Sequence, residues 1–421
     1  MTARLNSTFA SLVQSPNYRR YFIGQSVSLA GTWMQSVAQG WLVLKLTGSG
    51  TAVGLVVALQ FVPVLLLGPL GGVVVDRVDT RRLLIASQAV AGALALALGI
   101  LVVTDVVELW MVYALAAGLG LVTVVDNPAR QTFVLELVGK DLLTNAITLN
   151  SVNINAARVV GPAFAAALIA GIGIGPCFLV NAATYVAVIV ALARMNPSEL
   201  APKPIAARAK GQVREGLRYV WATPALRTPL VMMAIIGTLS YEFQVMLPIF
   251  ARFTFDGTAG TYGVLTAAMG AGAVVGGLAT ASRGRSGLDA LVRVAAVFGL
   301  VILAAAWSPT LPVAIVALVA VGAASITFLA RANTTMQLNS DPSMRGRVMA
   351  LWTVAFLGST PIGGPLMGYI GEHLGARWAL TIGGTAAIVA SGYGWLAGHA
   401  ADRRTPPVRA GRPTLAPSSG Q

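Results

Sequence analysis

Charged residues are scarce in this 421-residue chain, and their scarcity excludes most soluble proteins. Only 10% of the residues are Asp, Glu, Lys or Arg, whereas a soluble domain carries about 25%. The single cysteine, Cys177, excludes a disulfide-bonded scaffold, because disulfides require pairs. The two histidines are a whole predicted helix apart, and no nucleophile–base arrangement is evident. We therefore expect neither an enzyme nor a metal site, and no cofactor.

Long uncharged stretches make up most of the sequence. Hydrophobic residues account for 56% of the chain, and the mean hydropathy is +0.75. A membrane-spanning helix needs about 20 apolar residues, and twelve stretches fit that length. The short segments of alternating polarity that a membrane β-barrel requires are not seen. The predicted spans are 21–44, 51–75, 83–104, 109–128, 142–170, 176–193, 228–251, 260–282, 288–306, 312–331, 346–371 and 377–397.

The distribution of basic residues predicts the orientation in the membrane. An even number of spans puts both termini on one side. If that side is the cytoplasm, 25 of the 29 Lys and Arg residues lie on it, as the positive-inside rule requires. The net charge of +14 is then a consequence of topology, not a sign of nucleic-acid binding. We expect a multi-pass protein of the bacterial inner membrane with both termini in the cytoplasm.

Charge and composition also divide the chain into five segments. A linker in the middle of the chain is basic and contains an amphipathic piece, Val213–Trp221, suited to the membrane interface. The predicted segments are a cytoplasmic N-terminal segment (1–20), a six-helix bundle (21–193), the cytoplasmic linker (194–227), a second six-helix bundle (228–397) and a disordered cytoplasmic tail (398–421).

Short motifs recur in the two predicted bundles. Ser49-Gly-Thr-Ala52 matches Asp256-Gly-Thr-Ala259, and Gly161-Pro162 matches Gly364-Pro365, at offsets of 207 and 203 residues. Two parallel six-helix repeats are typical of transporters whose substrate site lies near the membrane midplane between the repeats.

The loop after the second predicted span carries a recognisable motif. Gly72-Val-Val-Val-Asp76-Arg77-Val-Asp79-Thr-Arg81-Arg82 resembles the signature of the major facilitator superfamily, with Asp79 where a second glycine is common. Segments 126–132, 155–162 and 345–351 resemble the branch of transmembrane secretion effectors that includes enterobactin exporters and macrolide efflux proteins. The resemblance covers residues 15–398. It implies an all-α integral membrane protein with twelve transmembrane helices in two pseudo-symmetric six-helix bundles.

The resemblance also implies a function. We expect a secondary active transporter that exports a small hydrophobic or amphipathic molecule, siderophore-like or drug-like, by proton antiport with alternating access. Its partners would be the lipid bilayer, the small-molecule substrate and protons, and one chain would suffice as a monomer. Two alternatives stay open at this point: a metabolite importer or uniporter on the same fold, and a membrane sensor that transports nothing.

The first predicted span has one polar stripe. Gln25, Ser28, Thr32, Gln35 and Gln39 recur at intervals of three and four residues, which places them on one face of a helix. Polar side chains are costly against lipid. The stripe is therefore either the wall of a substrate cavity or a set of hydrogen bonds between helices.

The fifth predicted span carries a second stripe that includes Asn155 and Arg158. Arg158 is the basic residue that lies well inside a span, and such residues are either paired or functional. It would bind an anionic substrate, neutralise an acid during transport or form a fixed hydrogen-bond hub. Gly161-Pro162 resembles the antiporter motif of the fifth helix, but the glycines that normally follow are replaced by Ala163-Phe-Ala165.

The seventh predicted span contains the acid placed deepest in an apolar stretch, Glu242, followed by the cavity candidate Gln244. Burial favours the neutral form of a carboxyl group, so a buried glutamate can take up and release a proton within a transport cycle. Glu242 is therefore the first candidate for proton coupling, with Arg158 as the second. The alternative is a glutamate that is paired or reaches water.

A cluster of charges at the predicted cytoplasmic mouth forms the candidate gate. The resemblance implies that Asp76, at the end of the second helix, faces the N-terminus of the eleventh near Arg345 and Arg347. The alternative is topogenic charge with surface pairing. The complete set is Gly72, Asp76, Arg77, Arg81, Arg82, Asp126, Arg130, Arg345 and Arg347.

Overall fold

The chain is helical throughout the part that the structure describes. The computed structural model covers residues 9–201, 212–283, 287–342 and 344–402. Helices are the regular elements of these ranges, and no strand occurs in them. Parts of the predicted N-terminal segment (1–8), linker (202–211) and tail (403–421) lie outside the described residues.

The helices follow the predicted spans closely. The first part of the chain forms α1 (Ala10–Gln14), α2 (Pro16–Thr47), α3 (Gly50–Arg77), α4 (Thr80–Val103), α5 (Leu109–Ile172) and α6 (Gly175–Ala193). A 3₁₀ turn at Pro197–Glu199 and the amphipathic helix α7 (Gln212–Ala222) come next. The remaining helices are α8 (Pro224–Leu239), α9 (Phe243–Phe255), α10 (Ala259–Arg283), α11 (Leu288–Ala306), α12 (Leu311–Leu338), α13 (Arg345–Leu357), α14 (Thr360–His373) and α15 (Ala376–Asp402).

Side-chain caps fix the tight turns between successive helices. Ser49 accepts a hydrogen bond from the Ala52 amide at the start of α3, and Asp79 accepts one from the Arg82 amide (2.8 Å) at the start of α4. Asp is among the best N-cap residues. The capping role gives a physical reason for Asp79 at a position where the superfamily signature often has glycine.

Helix α5 is two membrane passes in one. At 1.5 Å per residue, its 64 residues would measure about 96 Å, three times the hydrocarbon thickness of a bilayer. Its backbone leaves the helical conformation at Gly139, where φ is 68°. The break falls between the predicted spans 109–128 and 142–170, and it separates the fourth pass from the fifth.

Two of the predicted spans are interrupted, which the sequence reading missed. The seventh, predicted as 228–251, is divided into α8 and α9 by residues 240–242. The eleventh, predicted as 346–371, is divided into α13 and α14 at residues 358–359. In the seventh span the backbone leaves the helical conformation at Glu242, so the continuous helix predicted there is wrong in its middle. In the eleventh, Gly358 and Ser359 keep helical backbone angles, and only the helical hydrogen bonding is interrupted.

Twelve passes result. Nine helical segments of the described ranges are long and apolar enough to cross a membrane, with α5 counted once and α8–α9 taken together. The first pass, α2, is less apolar because it contains the polar stripe. The eleventh is divided into helices of only 13 and 14 residues.

The passes form two six-helix bundles that meet along two helix pairs. In the first bundle α2 packs against α5 and α6, and α4 packs against α6. In the second, α10 packs against α12 and α11 against α15. The pairs α3–α14 and α5–α10 join the bundles.

The two bundles make close backbone contact toward one end of the membrane-spanning helices. We call the end that holds Pro16 and Asp402 the terminus face, and the other the distal face. Toward the distal face α3 and α14 touch through backbone, since a Cβ atom on Gly54 would collide with the carbonyl oxygen of Gly364. At the terminus face Asp76 is exposed, and a cavity reaches it from the interior.

Candidate functional site

A central cavity of about 310 Å³ lies between the two bundles. Its charged lining residues are Arg158 from the first bundle and Glu242 from the second. Six aromatic side chains contribute to the rest of its wall. These are Trp33, Phe61, Tyr241, Phe243, Tyr262 and Phe356. The cavity can therefore hold an amphipathic molecule with rings stacked on its walls and a polar group near either charge.

Arg158 projects from the fifth pass into this cavity without an ion-pair partner among the described residues. Its guanidinium carbon lies 5.1 Å from the centre of the Trp33 ring, a cation–π distance. Its Nε atom is buried and has no hydrogen-bond partner. A guanidinium with an unsatisfied donor next to a cavity is suited to bind a ligand oxygen.

Glu242 sits at the break between α8 and α9 and is only 2% exposed. Its carboxyl group faces the start of α14, where a Cβ atom on Gly363 would lie 2.8 Å from Oε1. Thr360, the first residue of α14, interacts with the same carboxyl group. The partial positive charge of a helix N-terminus favours an ionised carboxylate at this position. Oε1 has no hydrogen-bond partner in the described structure.

Two side chains at the break in the seventh pass bond to neighbouring helices. The Ser240 hydroxyl donates a hydrogen bond to the Gly383 carbonyl oxygen (2.6 Å), and the Tyr241 hydroxyl donates one to the Ser325 carbonyl oxygen (2.6 Å). These bonds tie the non-helical residues to α15 and α12. Few residues around 240–242 signal the break, whereas the Ser359-Thr-Pro-Ile-Gly-Gly segment was a usable signal in the eleventh pass.

The stripe on α2 divides between its two possible roles. Gln25 and Thr32 line a second cavity, of about 900 Å³, in the first bundle. Gln35 accepts a hydrogen bond from Asn181 Nδ2 (2.5 Å), and Gln39 accepts one from Gln60 Nε2 (3.4 Å). Thus the cavity side chains lie toward the terminus face and the interhelical hydrogen bonds lie toward the distal face.

The face of α2 that lines the central cavity was not singled out from the sequence. It consists of Trp33, Ser36 and Val37, which lie beside the polar stripe. Ser28, the remaining residue of the polar stripe, is buried, and its carbonyl oxygen accepts a hydrogen bond from the Thr32 hydroxyl (2.9 Å). The polar stripe of α2 faces the interior of the first bundle, and the neighbouring, more apolar face of α2 lines the central cavity.

The other two cavity candidates differ in position. Gln244 lines the central cavity two residues after Glu242. Asn155 does not line it, and its Nδ2 donates a hydrogen bond to the Ser151 carbonyl oxygen (2.8 Å) on the same helix.

The Gly161-Pro162 motif lies where helices cross. A Cβ atom on Gly161 would lie 2.6 Å from the Ala30 carbonyl oxygen, so glycine permits the close approach of the fifth pass to α2. The carbonyl oxygen of Pro162 faces Gly263 of α10. The motif thus holds the fifth pass between its own bundle and the second bundle.

Two of the candidate gate residues form a buried network within the first bundle. Asp126 Oδ2 accepts a hydrogen bond from Arg130 Nε (2.5 Å), and its Oδ1 accepts from Ser87 and Gln88 at 2.7 Å each. These contacts link the fourth pass to α4. They lie on the wall of the second cavity.

The gate residues of the α3–α4 turn lie at the surface of the terminus face. Asp76, Arg77 and Arg82 are exposed, and Gly72 is partly buried. Arg81 donates hydrogen bonds to the carbonyl oxygens of residues 192 (2.7 Å) and 193 (2.8 Å). A basic side chain is stabilised at such a helix C-terminus.

The gate residues of the eleventh pass contact the linker helix. Arg347 forms an ion pair with Glu215 of α7 (2.9 Å), and a Cβ atom on Gly216 would lie 3.0 Å from Arg347 Cβ. Arg345 is exposed. Arg347 thus joins the start of the eleventh pass to α7.

Comparison with known proteins shows the family to which this chain is related. Residues 6–399 match the profile of the family described as transmembrane secretion effector. The chain is 27% identical over 359 residues to the multidrug efflux pump Tap of Mycolicibacterium fortuitum, covering 82% of this chain and 87% of Tap. It is 23% identical over 364 residues to the enterobactin exporter EntS of Shigella flexneri, covering 85% and 86%.

Solved structures confirm the fold. A bacterial homologue of the human lysosomal transporter Spinster, in an inward-facing and unoccupied conformation, superimposes with a TM-score of 0.70. The superposition covers 93% of this chain and 99% of that protein at 14% identity. The predicted twelve-helix fold in two six-helix bundles is therefore confirmed.

Proposed function

The chain belongs to the transmembrane secretion effector family of major facilitator transporters, and from that premise we propose that it exports a small hydrophobic or amphipathic molecule in exchange for protons. The observation that carries the proposal is the central cavity. It is lined by aromatic rings from both bundles and has one basic side chain, Arg158 of the first bundle, and one acidic side chain, Glu242 of the second. The substrate would be siderophore-like or drug-like, as in the named relatives.

The terminus face would be the cytoplasmic side of a bacterial inner membrane. The basic residues support this orientation, since the predicted topology assigns 25 of the 29 Lys and Arg residues to that side. The second cavity then opens to the cytoplasm, where an exporter loads its substrate. The bundles at 21–193 and 228–397 would be the two moving units. One chain would work as a monomer, because residues of a single chain complete the central cavity.

Arg158 would bind an anionic or strongly polar group of the substrate. Its unpartnered Nε and its position over Trp33 leave the guanidinium fixed and ready to donate hydrogen bonds. The surrounding aromatic rings would stack on flat groups of many different substrates, as a broad substrate range requires.

Glu242 would carry the proton. When it is ionised, its charge is attracted to the N-terminus of α14, and protonation removes that attraction. The strength of the contact between α8–α9 and α14 then depends on whether Glu242 is protonated. The equilibrium between the two conformations shifts by the difference in contact free energy between the two protonation states. A proton that moves down a potential of 100 mV supplies about 2.3 kcal/mol for this shift.

The proposal is tested in everted membrane vesicles that contain the protein and are energised to be acid inside. Siderophores, macrolides and cationic dyes are added one at a time, and the collapse of the pH gradient is recorded. Export by antiport predicts that one class discharges the gradient. Glu242→Gln should abolish this discharge while still exchanging labelled substrate across vesicles that have no gradient.

A matched control is Glu108→Gln, which removes an exposed carboxylate that bonds only Trp110 of its own bundle among the described residues (2.7 Å). It should discharge the gradient like the unaltered protein. Undiminished discharge in Glu242→Gln would remove Glu242 from the coupling step. Substrate-driven acidification, instead of discharge, would indicate import coupled to protons.

A further inference from the structure

At the distal face a single carboxylate links the two bundles. Glu372, near the end of α14, accepts hydrogen bonds on Oε2 from the hydroxyls of Ser49 and Thr51, both at 2.7 Å. The same oxygen accepts a third hydrogen bond from the Thr51 backbone amide at 3.0 Å. Ser49 is the N-cap residue of α3 and Thr51 lies in its first turn. The carboxylate of one bundle therefore caps a helix of the other.

The electrostatics of this contact favour the ionised carboxylate. The N-terminus of α3 carries partial positive charge and unpaired amides. The hydrogen bonds from Ser49 and Thr51 hold the pKa of Glu372 at about 2, below its ordinary value of 4.5. His373 adds a smaller effect in the same direction. The Glu372 carboxyl group is therefore ionised at neutral pH and can accept these hydrogen bonds.

The backbone contact beside Glu372 is as close as glycine allows. A Cβ atom on Gly368 would collide with the carbonyl oxygen of Gly50, one helical turn below the carboxylate. The two helices can slide apart here without unlocking interdigitated side chains. Hence, of the contacts between α3 and α14 at this face, the Glu372 hydrogen bonds are the ones that must break when the helices separate.

We propose that Glu372 is a latch that holds the distal face closed in this state and that releases when the protein opens to that face. It is a positioning residue of the transport cycle and does not touch substrate. A contact that exists in only one of two conformations shifts the equilibrium toward that conformation. The latch requires alternation between two states but neither a particular substrate nor a particular ion, so it can hold if proton coupling fails.

The arrangement has a counterpart at the other end of the same helices. The eleventh pass runs antiparallel to α3, so each ends where the other begins. Glu372 ends α14 beside the start of α3, as Asp76 ends α3 on the face where α13 starts. A carboxylate at each end of one helix pair could close the two faces alternately.

Spin-label distances test the latch in the complete protein. In a Cys177→Ala background, one pair of labels at Val106→Cys and Pro309→Cys spans the distal face. A second pair at Val78→Cys and Leu338→Cys spans the terminus face. All four positions are exposed. Distances are measured with the protein in lipid, in the absence of substrate.

Glu372→Gln should raise the ratio of distal-open to distal-closed molecules by roughly fivefold, the effect of weakening an exposed charged contact. The distances across the terminus face should shorten in the same fraction of molecules, because the two faces alternate. Glu108→Gln, an exposed carboxylate on the same face, should change neither distribution.

Two results would overturn the proposal. One is a distal distribution in Glu372→Gln that equals that of Glu108→Gln. The other is distal opening without closure of the terminus face, which would indicate local fraying only. Thr51→Val, of nearly the same shape, supplies an independent variant. In the double variant Glu372→Gln/Thr51→Val, the second substitution should change the ratio of open to closed molecules by less than Thr51→Val does alone, because both substitutions remove the same contact.

Discussion

The first and the second bundle build their central helices in opposite ways. The first and fifth passes of the first bundle continue unbroken past the cavity, and Gln35 and Gln39 of the first pass bond to neighbouring helices. The seventh and eleventh passes, their counterparts in the second bundle, are both interrupted, and Glu242 lies at the interruption of the seventh pass against Gly363 of the eleventh. A continuous helix presents a fixed wall, whereas a broken one can change its angle at the break.

This difference assigns different work to the two bundles. Under the proposed function, the first bundle would supply Arg158, held over Trp33, as the binding element. The second bundle would supply the titratable group, Glu242, at the point where α8 and α9 meet. Transporters use broken helices in this way because half-helix ends interact with ions.

The largest effect that would sharpen this comparison is expected at Arg158. Arg158→Leu should lower transport of an anionic substrate by about a hundredfold, because a charge-assisted interaction is lost in a water-poor cavity. Arg158→Lys should lose about tenfold, since it keeps the charge but not the planar stacking on Trp33. Initial transport rates in vesicles measure both.

The exposed residue Arg252 offers the control, and Arg252→Lys should transport normally. Equal rates for Arg158→Leu and the unaltered protein would show that the first bundle contributes no binding charge. A shift of the pH profile in Arg158→Lys would contradict its role as a fixed element.

A smaller effect is expected where the broken helices meet. In Gly363→Ala the new methyl group would collide with the Thr238 carbonyl oxygen and lie 2.8 Å from Glu242 Oε1. We expect about a tenfold loss of proton-coupled transport, with the substrate-to-proton ratio disturbed, because α14 must move away from the carboxyl group. The ratio is measured from simultaneous substrate and pH recordings.

Two glycine variants calibrate this result. Gly346→Ala meets open space and should transport normally. Gly161→Ala creates a similar collision in the first bundle, with the Ala30 carbonyl oxygen, and should lower the amount of folded protein while leaving the ratio unchanged. A changed ratio in Gly161→Ala would break the proposed division of work.

A moderate stability effect without a transport effect is expected inside the first bundle. Gln35→Leu leaves the buried amide of Asn181 without its acceptor, which should cost about 1 kcal/mol, as for interhelical hydrogen bonds in membranes. The double variant Gln35→Leu/Asn181→Leu should recover most of this loss. Thermal unfolding in detergent measures the change, and altered substrate preference would contradict the structural role.

The smallest effect concerns pH at the distal face. The pKa of Glu372 is depressed to about 2, so its stabilisation of the closed face is complete above pH 4.5 and is lost only as the pH falls toward 2. The distal spin-label distances should therefore not change between pH 8 and pH 5. Opening at pH 6 would show that another group controls this face.

Much of the molecule was predictable from local patterns. Long apolar runs and charged turns placed most helix ends within a few residues, since lipid leaves the backbone no alternative to helix. The Asp76 signature and the repeated motifs identified the superfamily before any contact was known. Arg158 and Glu242 stood out because charge is rare in an apolar run.

Other features could not be predicted because they depend on distant partners. The breaks in the seventh and eleventh passes persist because Ser240 finds the carbonyl of residue 383 and because Glu242 fits against Gly363. The role of each residue in the α2 stripe depended on which helix packed beside it. Likewise, Glu372 looked like an ordinary end-of-span charge until Ser49 and Thr51, more than 300 residues earlier, were seen beside it.

The sequence by itself determined which segments cross the membrane, how many there are and which rare charges lie within them. These properties follow from the transfer of each segment between water and lipid, which is a local free energy. Only the tertiary structure decided which of those charges share a cavity, which polar side chains satisfy one another and which face is closed. Those outcomes depend on distances between helices, and pairing across hundreds of residues leaves no periodic trace in the chain.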